Sequence, residues 1–255
     1  MKPPKIDKNT KDYEFIEKAV FFPKEKILAI GDMHLGYEIM LKENGSLLPQ
    51  TQIEQTKEDL KKIFDILHER KIKLNKIVFL GDIKHFFSFH KYEKNVFLDI
   101  IFFLEKYISR ENIILIKGNH EKMMALGGKE FVDYYIQGEI AFVHGDIMFK
   151  ELLDKNIKKI VMGHLHPAVT IMDKQRIRSE KYKCFLIGEY KNKQVFILPS
   201  FFPLIEGTSI NEYLGDGSCM IPQKNLYNFE VFAIGEGNKI YDFGKLKGIR
   251  KKFEY

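Results

Sequence analysis

Six of the eight histidines in this 255-residue sequence fall in five short clusters that also carry glycine, carboxylate or amide residues. The clusters are Gly31-Asp32-Met33-His34, Gly81-Asp82-Ile83-Lys84-His85, Gly118-Asn119-His120-Glu121, His144-Gly145-Asp146 and Gly163-His164-Leu165-His166. Carboxylate, amide oxygen and imidazole without a thiolate form a donor set that suits Mn, Fe or Zn better than a soft metal. In extended chain, residues two apart point the same way, so Asp32 with His34, and His164 with His166, are expected to converge. Asp32, His34, Asp82, Asn119, His144, His164 and His166 are too many ligands for one tetrahedral zinc. They fit two ions of higher coordination that share a carboxylate, with Asp82 as the expected bridge.

Each cluster follows a short apolar run rich in β-branched residues, and those runs must position it. They are Ile27–Ile30, Ile77–Leu80, Ile113–Ile116, Ile140–Val143 and Ile160–Met162. Amphipathic stretches at 51–70 and 92–108, and a third around 147–155, predict helices between them, giving an α/β rhythm. The carboxyl ends of strands in such sheets open into the binding crevice, so five strands deliver polar groups to one place. After Pro167 the pattern changes to hairpin-like strands at 168–173, 183–190, 194–199, 227–235 and 239–244, which predicts a second sheet. The intervening 201–222, with Pro203, Gly207, Gly215, Gly217 and Pro222, reads as an ordered loop.

As an ordered set, the clusters resemble the calcineurin-like metallophosphoesterase superfamily over about residues 27–167. Its DxH, GD, GNH[DE], lone His and GHxH motifs match Asp32/His34, Asp82, Asn119/His120/Glu121, His144 and His164/His166. The resemblance implies a four-layer αββα sandwich of two mixed sheets, with a dinuclear metal site at the strand carboxyl ends and one domain spanning 1–255. It implies that Asp32, His34, Asp82 and His166 hold one divalent ion and that Asp82, Asn119, His144 and His164 hold the other. Mn is the expected metal, with Fe, Zn or Ni as alternatives. His120 corresponds to the family's catalytic histidine. The GDxxH form of the second cluster resembles SbcD-type DNA nucleases and puts His85 beside the site, in a catalytic or merely supporting role.

The segment Leu198-Pro-Ser-Phe-Phe-Pro-Leu, with Gly207 and Asn211, is similar to the small ICC-like phosphoesterases. Some relatives of those associate with DNA-repair helicases. The expected activity is hydrolysis of phosphodiester bonds in nucleic acid or nucleotides. A monoesterase acting on a small phosphate is the alternative, and a non-catalytic scaffold, as in the phosphoesterase-like subunit of retromer, is a third reading. Glu121 and Asp146 are expected to cap a helix or to orient a ligand histidine.

Composition bounds the remaining choices. Lys+Arg number 41 against 35 Asp+Glu, giving +6. That excess fits a polyanionic partner or solvated ion-pair networks. Arg176, Arg178 and Lys181 form a basic stretch, and Phe86, Phe87, Phe89 and Tyr92 could stack bases or pack at a helix start. Two cysteines, Cys184 and Cys219, exclude a disulfide framework and point to a reducing compartment. The charged Met1–Lys11 has no apolar run behind it, and Val96–Leu104 is interrupted by Asp99 and too short to cross a bilayer. A cytoplasmic protein with no membrane partner is expected, and no pattern fixes its oligomeric state.

Overall fold

The structure, a computed structural model, describes residues 5–6, 12–45, 52–85, 91–121, 125–172, 179–212 and 219–249. The chain runs through β1 (Lys5–Ile6), β2 (Glu14–Ile16), β3 (Ala19–Phe22), β4 (Ile27–Ile30), α1 (Tyr37–Glu43), α2 (Gln52–Glu69), β5 (Lys76–Phe79), α3 (Lys91–Leu104) and β6 (Ile113–Ile116). It continues with β7 (Ala125–Leu126), β8 (Lys129–Val132), β9 (Tyr134–Gln137), β10 (Ile140–Val143), β11 (Lys159–Met162), β12 (Pro167–Met172) and β13 (Ser179–Tyr190). Last come β14 (Lys193–Ile197), β15 (Thr208–Ser209), α4 (Gln223–Leu226), β16 (Glu230–Ile234), β17 (Ile240–Lys245) and α5 (Leu246–Ile249).

Two mixed sheets result. The first has the order β2-β3-β4-β5-β6-β8-β7, with β4, β5, β6 and β8 parallel. The second has the order β1-β17-β16-β13-β14-β11-β10-β9, with β12 and β15 attached through β13, and its parallel centre is β10-β11-β14. Strands β4, β6 and β10 are apolar at every position because both faces of the sheet are covered. In β4, Ile27 and Ala29 face the second sheet while Leu28 and Ile30 face the helices. In β10, Ile140 and Phe142 face the first sheet, and Ala141 and Val143 the opposite side. This two-residue alternation builds three apolar layers. One lies between the sheets, and one lies under α1, α2 and α3. The third is covered by Leu152, Ile210, Ile221, Leu226 of α4 and Leu246 of α5, so the outer layer on the second sheet is made of short turns.

The predicted strands all form, with ends shifted by a few residues. The amphipathic stretch at 51–70 is α2, and that at 92–108 is α3, which stops at Leu104, beyond which Lys106 and Tyr107 N–H bond carbonyls three residues back. The helix expected around 147–155 is corrected to a single 3-10 turn, Lys150–Leu153, whose one buried residue is Leu152. The 201–222 loop contains the short strand β15, which pairs with Pro167 and Ala168 of β12.

Candidate metal centre

Parallel strands β4, β5 and β6 of one sheet and β10 and β11 of the other all end at the same edge of the sandwich, each releasing one cluster there. The loops after β4 and β5 are zipped together: Met33 and His34 N–H both donate to the Asp82 carbonyl (3.1 and 2.8 Å), and Leu35 N–H donates to Ile83 (2.9 Å). The loops after β10 and β11 are joined by Gly163 N–H to the His144 carbonyl (3.0 Å). Each buried carboxylate is aimed by an N–H from another loop. His164 N–H donates to Asp32 Oδ2 (3.1 Å), and His120 N–H donates to Asp82 Oδ1 (3.0 Å). Glycine is required beside both, since a Cβ on Gly163 would lie 2.3 Å from Asp32 Oδ2 and one on Gly118 2.2 Å from Asp82 Oδ1.

Asp32 and His34 converge as expected, though by a different backbone route, whereas His164 and His166 do not point the same way. His34, Asp82, His164 and His166 all have positive φ (42°, 44°, 67° and 44°), so these loops are tight left-handed turns and not extended chain. Non-glycine residues in that region carry strain that surrounding structure must hold, a cost that collects at functional sites. The turns also send His164 and His166 to different places. His166 Nε2 lies 3.2 Å from His34 Nε2 and 3.3 Å from Asp32 Oδ1, whereas His164 Nδ1 lies 3.0 Å from His144 Nε2. Asn119 Oδ1 is also 3.0 Å from His144 Nε2. Asp82 sits between the two groups, with Oδ2 3.8 Å from His34 Nε2 and 3.5 Å from His144 Nε2.

The donor chemistry fits cations. His144 Nδ1 is 2.9 Å from the Leu80 carbonyl, and a carbonyl only accepts, so Nδ1 holds the proton. In neutral His144, Nε2 is then a lone pair facing the oxygen of Asn119, two acceptors that a cation between them would satisfy. His34 Nδ1 is buried without a hydrogen-bond partner among the described residues. Among the described residues, three groupings have ligand atoms close enough for one ion: Asp32, His34 and His166; Asp32, Asp82 and His144; and His34, His85 and His120. Asp32 thus stands near both groups, as Asp82 does.

Burial sets the electrostatics. It pushes the Asp82 carboxyl up despite the nearby His144 and His120. Burial opposes the charge of Asp32 as well, yet His166, His144 and His34 together hold that carboxyl below the usual range. Burial lowers His34 well below an ordinary imidazole, and His166 adds to this. His144 is desolvated too, but Asp32 and Asp82 raise it.

His120 lies on the same rim. Its Nδ1 is 2.6 Å from the His85 carbonyl and so must donate to it, which turns Nε2 toward Asp82 Oδ2 at 3.9 Å. The His85 ring packs 5.7 Å from His34 and 5.5 Å from His120, and burial, His120 and Lys84 lower its pKa to about 4. His85 N–H is fixed by Glu93 Oε1 (2.8 Å), and Tyr37 packs edge-on against its ring at 4.9 Å. Tyr92 is turned away from stacking, because its hydroxyl donates to Glu38 Oε1 (3.2 Å). Phe86, Phe87 and Phe89 lie outside the described residues.

One structural contributor was assigned the wrong partner from sequence. Glu121 neither caps a helix nor orients a histidine. Its carboxylate accepts from the backbone N–H groups of Asp82 (3.0 Å), Gly118 (2.8 Å) and Lys84 (3.1 Å), and so braces the two loops that carry Asp82 and His120. Burial, reinforced by Asp82, raises its pKa to about 7.

Comparison with known proteins identifies the family and the fold. No curated protein sequence matches the chain. The nuclease MPE of Pseudomonas putida superposes with a TM-score of 0.53 at 19% identity, over 91% of this chain and 100% of that one, a likeness of fold. A conserved Streptococcus pneumoniae protein described as a predicted phosphoesterase aligns at TM-score 0.35 and 12% identity, over 84% of this chain and 91% of that one. Residues 25–198, from the lead-in to the first cluster through the end of β14, match the model of the calcineurin-like phosphoesterases, and the chain belongs to that family.

Proposed function

We propose that this protein is a two-metal phosphodiesterase acting on nucleic acid or nucleotides. The observation that carries the reading is the pair of ligand groups meeting at Asp82, with His120 Nε2 turned toward the same carboxylate. Asp32, His34, Asp82 and His166 would hold one ion, and Asp82, Asn119, His144 and His164 would hold the other, with Mn the expected metal for this oxygen and imidazole set. When bound, the pair of cations screens phosphate charge and lowers the pKa of a shared water.

The chain's own groups do the rest. The His164 and His120 backbone amides fix the two carboxylates so that neither rotates away from its group. Anchored through Nδ1, His120 presents Nε2 as the nitrogen that gives a proton to the departing oxygen, a general-acid task suited to an imidazole near neutral pH. His85, whose pKa lies at about 4, stays neutral at that pH and can support a phosphate oxygen or the leaving group by hydrogen bonding.

The nuclease activity of the Pseudomonas putida relative, the +6 charge and the SbcD-like position of His85 support a polynucleotide over a small phosphate. A DNA-repair helicase partner and a cytoplasmic location belong to the same reading. No helix among the described residues is long and apolar enough to cross a membrane.

The substrate class is tested by salt. Each phosphate neutralised on a single strand contributes about 0.7 to the fall of log affinity with log salt, so contacts beyond the metals should give a slope of about −2 or steeper. The assay uses the Mn-loaded His120→Ala variant and single-stranded DNA. Arg176 and Arg178, which lie outside the described residues, are expected to carry more of the slope than Lys181. Lys181 is already engaged, 3.6 Å from Glu206 and 3.3 Å from the Gly207 carbonyl. Absence of polynucleotide binding at low salt, with rapid turnover of a small phosphomonoester, would assign the monoesterase instead.

A further inference from the structure

The Leu198–Leu204 segment begins at the edge of the family match and contains none of the clustered residues, yet it is pressed against the first cluster. Phe201 N–H and Ser200 Oγ both donate to the Asp32 carbonyl, at 2.9 and 3.1 Å. A Cβ on Gly31 would lie 2.2 Å from the Pro199 carbonyl oxygen. Three successive carbonyls of this segment point at ammonium groups. Lys183 Nζ donates to Ser200 (2.8 Å) and Phe202 (2.6 Å), and Lys18 Nζ donates to Phe201 (2.7 Å) while pairing with Asp59 at 2.7 Å. Lys183 stands opposite Ala168 in the β12–β13 ladder, two residues beyond His166. It therefore ties the strand that leaves His166 to the backbone that supports Asp32, and these two residues belong to one ligand group.

We propose that Lys183, assisted by Lys18, is a positioning residue that sets the spacing of Asp32 and His166. The proposal rests on the dinuclear reading above. The spacing needs such a tie because His34 and His166 occupy left-handed backbone, which relaxes unless surrounding structure holds it. The ammonium is desolvated, which lowers Lys183 well below an ordinary lysine, with Lys18 adding to the effect, so the tie is a costly one for a purely structural purpose.

The chain contains its own control. Lys193, at the far end of β14, is buried and donates to two carbonyls, Asp154 (2.6 Å) and Ile157 (2.7 Å), away from the clusters. Binding of Mn alone to the full chain is measured by titration, with the paramagnetic resonance signal of free Mn as readout, for wild type, Lys183→Met and Lys193→Met. Both variants are expected to lower the melting temperature. Only Lys183→Met is expected to weaken one of the two Mn sites, by about 10–100-fold, the usual effect of removing an outer partner of a ligand group. Lys193→Met should keep both affinities. Should Lys183→Met not fold, Lys18→Met carries the same test and the same expected loss at one site. Equal Mn affinities in Lys183→Met (or its substitute) and Lys193→Met would overturn the proposal while leaving the dinuclear reading intact. A wild-type chain that binds no Mn would overturn the dinuclear reading and the proposal with it.

Discussion

Replacing His120 with alanine lowers turnover of the Mn-loaded protein by about 10²–10⁴-fold while both ions stay bound, the span expected for loss of a general acid or base. The separation of rate from occupancy follows from geometry. The His120 ring is held by the His85 carbonyl at 2.6 Å, with Nε2 3.9 Å from Asp82 Oδ2 and the ring 5.1 Å from that of His34. The Asp82 carboxylate keeps the N–H of residue 120 in the variant, because that bond comes from the backbone. Metal content per chain and single-turnover rate on an aryl phosphodiester are the two readouts. A variant that loses metal but keeps normal turnover per bound metal would make residue 120 a ligand and not an acid.

Asp82→Asn has the opposite signature, losing metal and rate together. The carboxylate lies within 3.8 Å of nitrogens from both ligand groups, so neutralising it removes a negative charge that both groups share. Asparagine keeps the volume and an oxygen to accept the His120 N–H, so the loops should stay in place. Mn stoichiometry is expected to fall below two at concentrations that saturate wild type, with the melting temperature of the metal-free chain little changed. Unaltered stoichiometry would remove Asp82 from the bridging position.

Much of this centre was legible in the sequence because the fold repeats one device. A parallel strand buried on both faces must be a continuous apolar run, and its carboxyl end must open at the crevice, so Ile27–Ile30 before Asp32 and Ile140–Val143 before His144 could be read directly. What was hidden depends on distant backbone. The left-handed turns at His34, Asp82, His164 and His166 carry no glycine at those positions to announce them. The β2–β3 hairpin turns through Glu17, at φ 56°, and again lacks an Asn-Gly type signal. Glu121 bonds amides that come from a loop 37 to 39 residues earlier and from its own, and no local pattern marks a carboxylate for that use. The amphipathic look of 147–155 misled for a related reason: Phe149 is extended, at ψ 144°, so the stretch could turn only once.

The claim at the centre of this account is that the clustered carboxylates and imidazoles work through bound divalent ions. Turnover of an aryl phosphodiester by the full chain, stripped with chelator and then titrated with Mn, tests it most directly. Chelation is expected to reduce turnover to background and Mn to restore it, saturating at two ions per chain. Equal turnover in chelator and in Mn would contradict it.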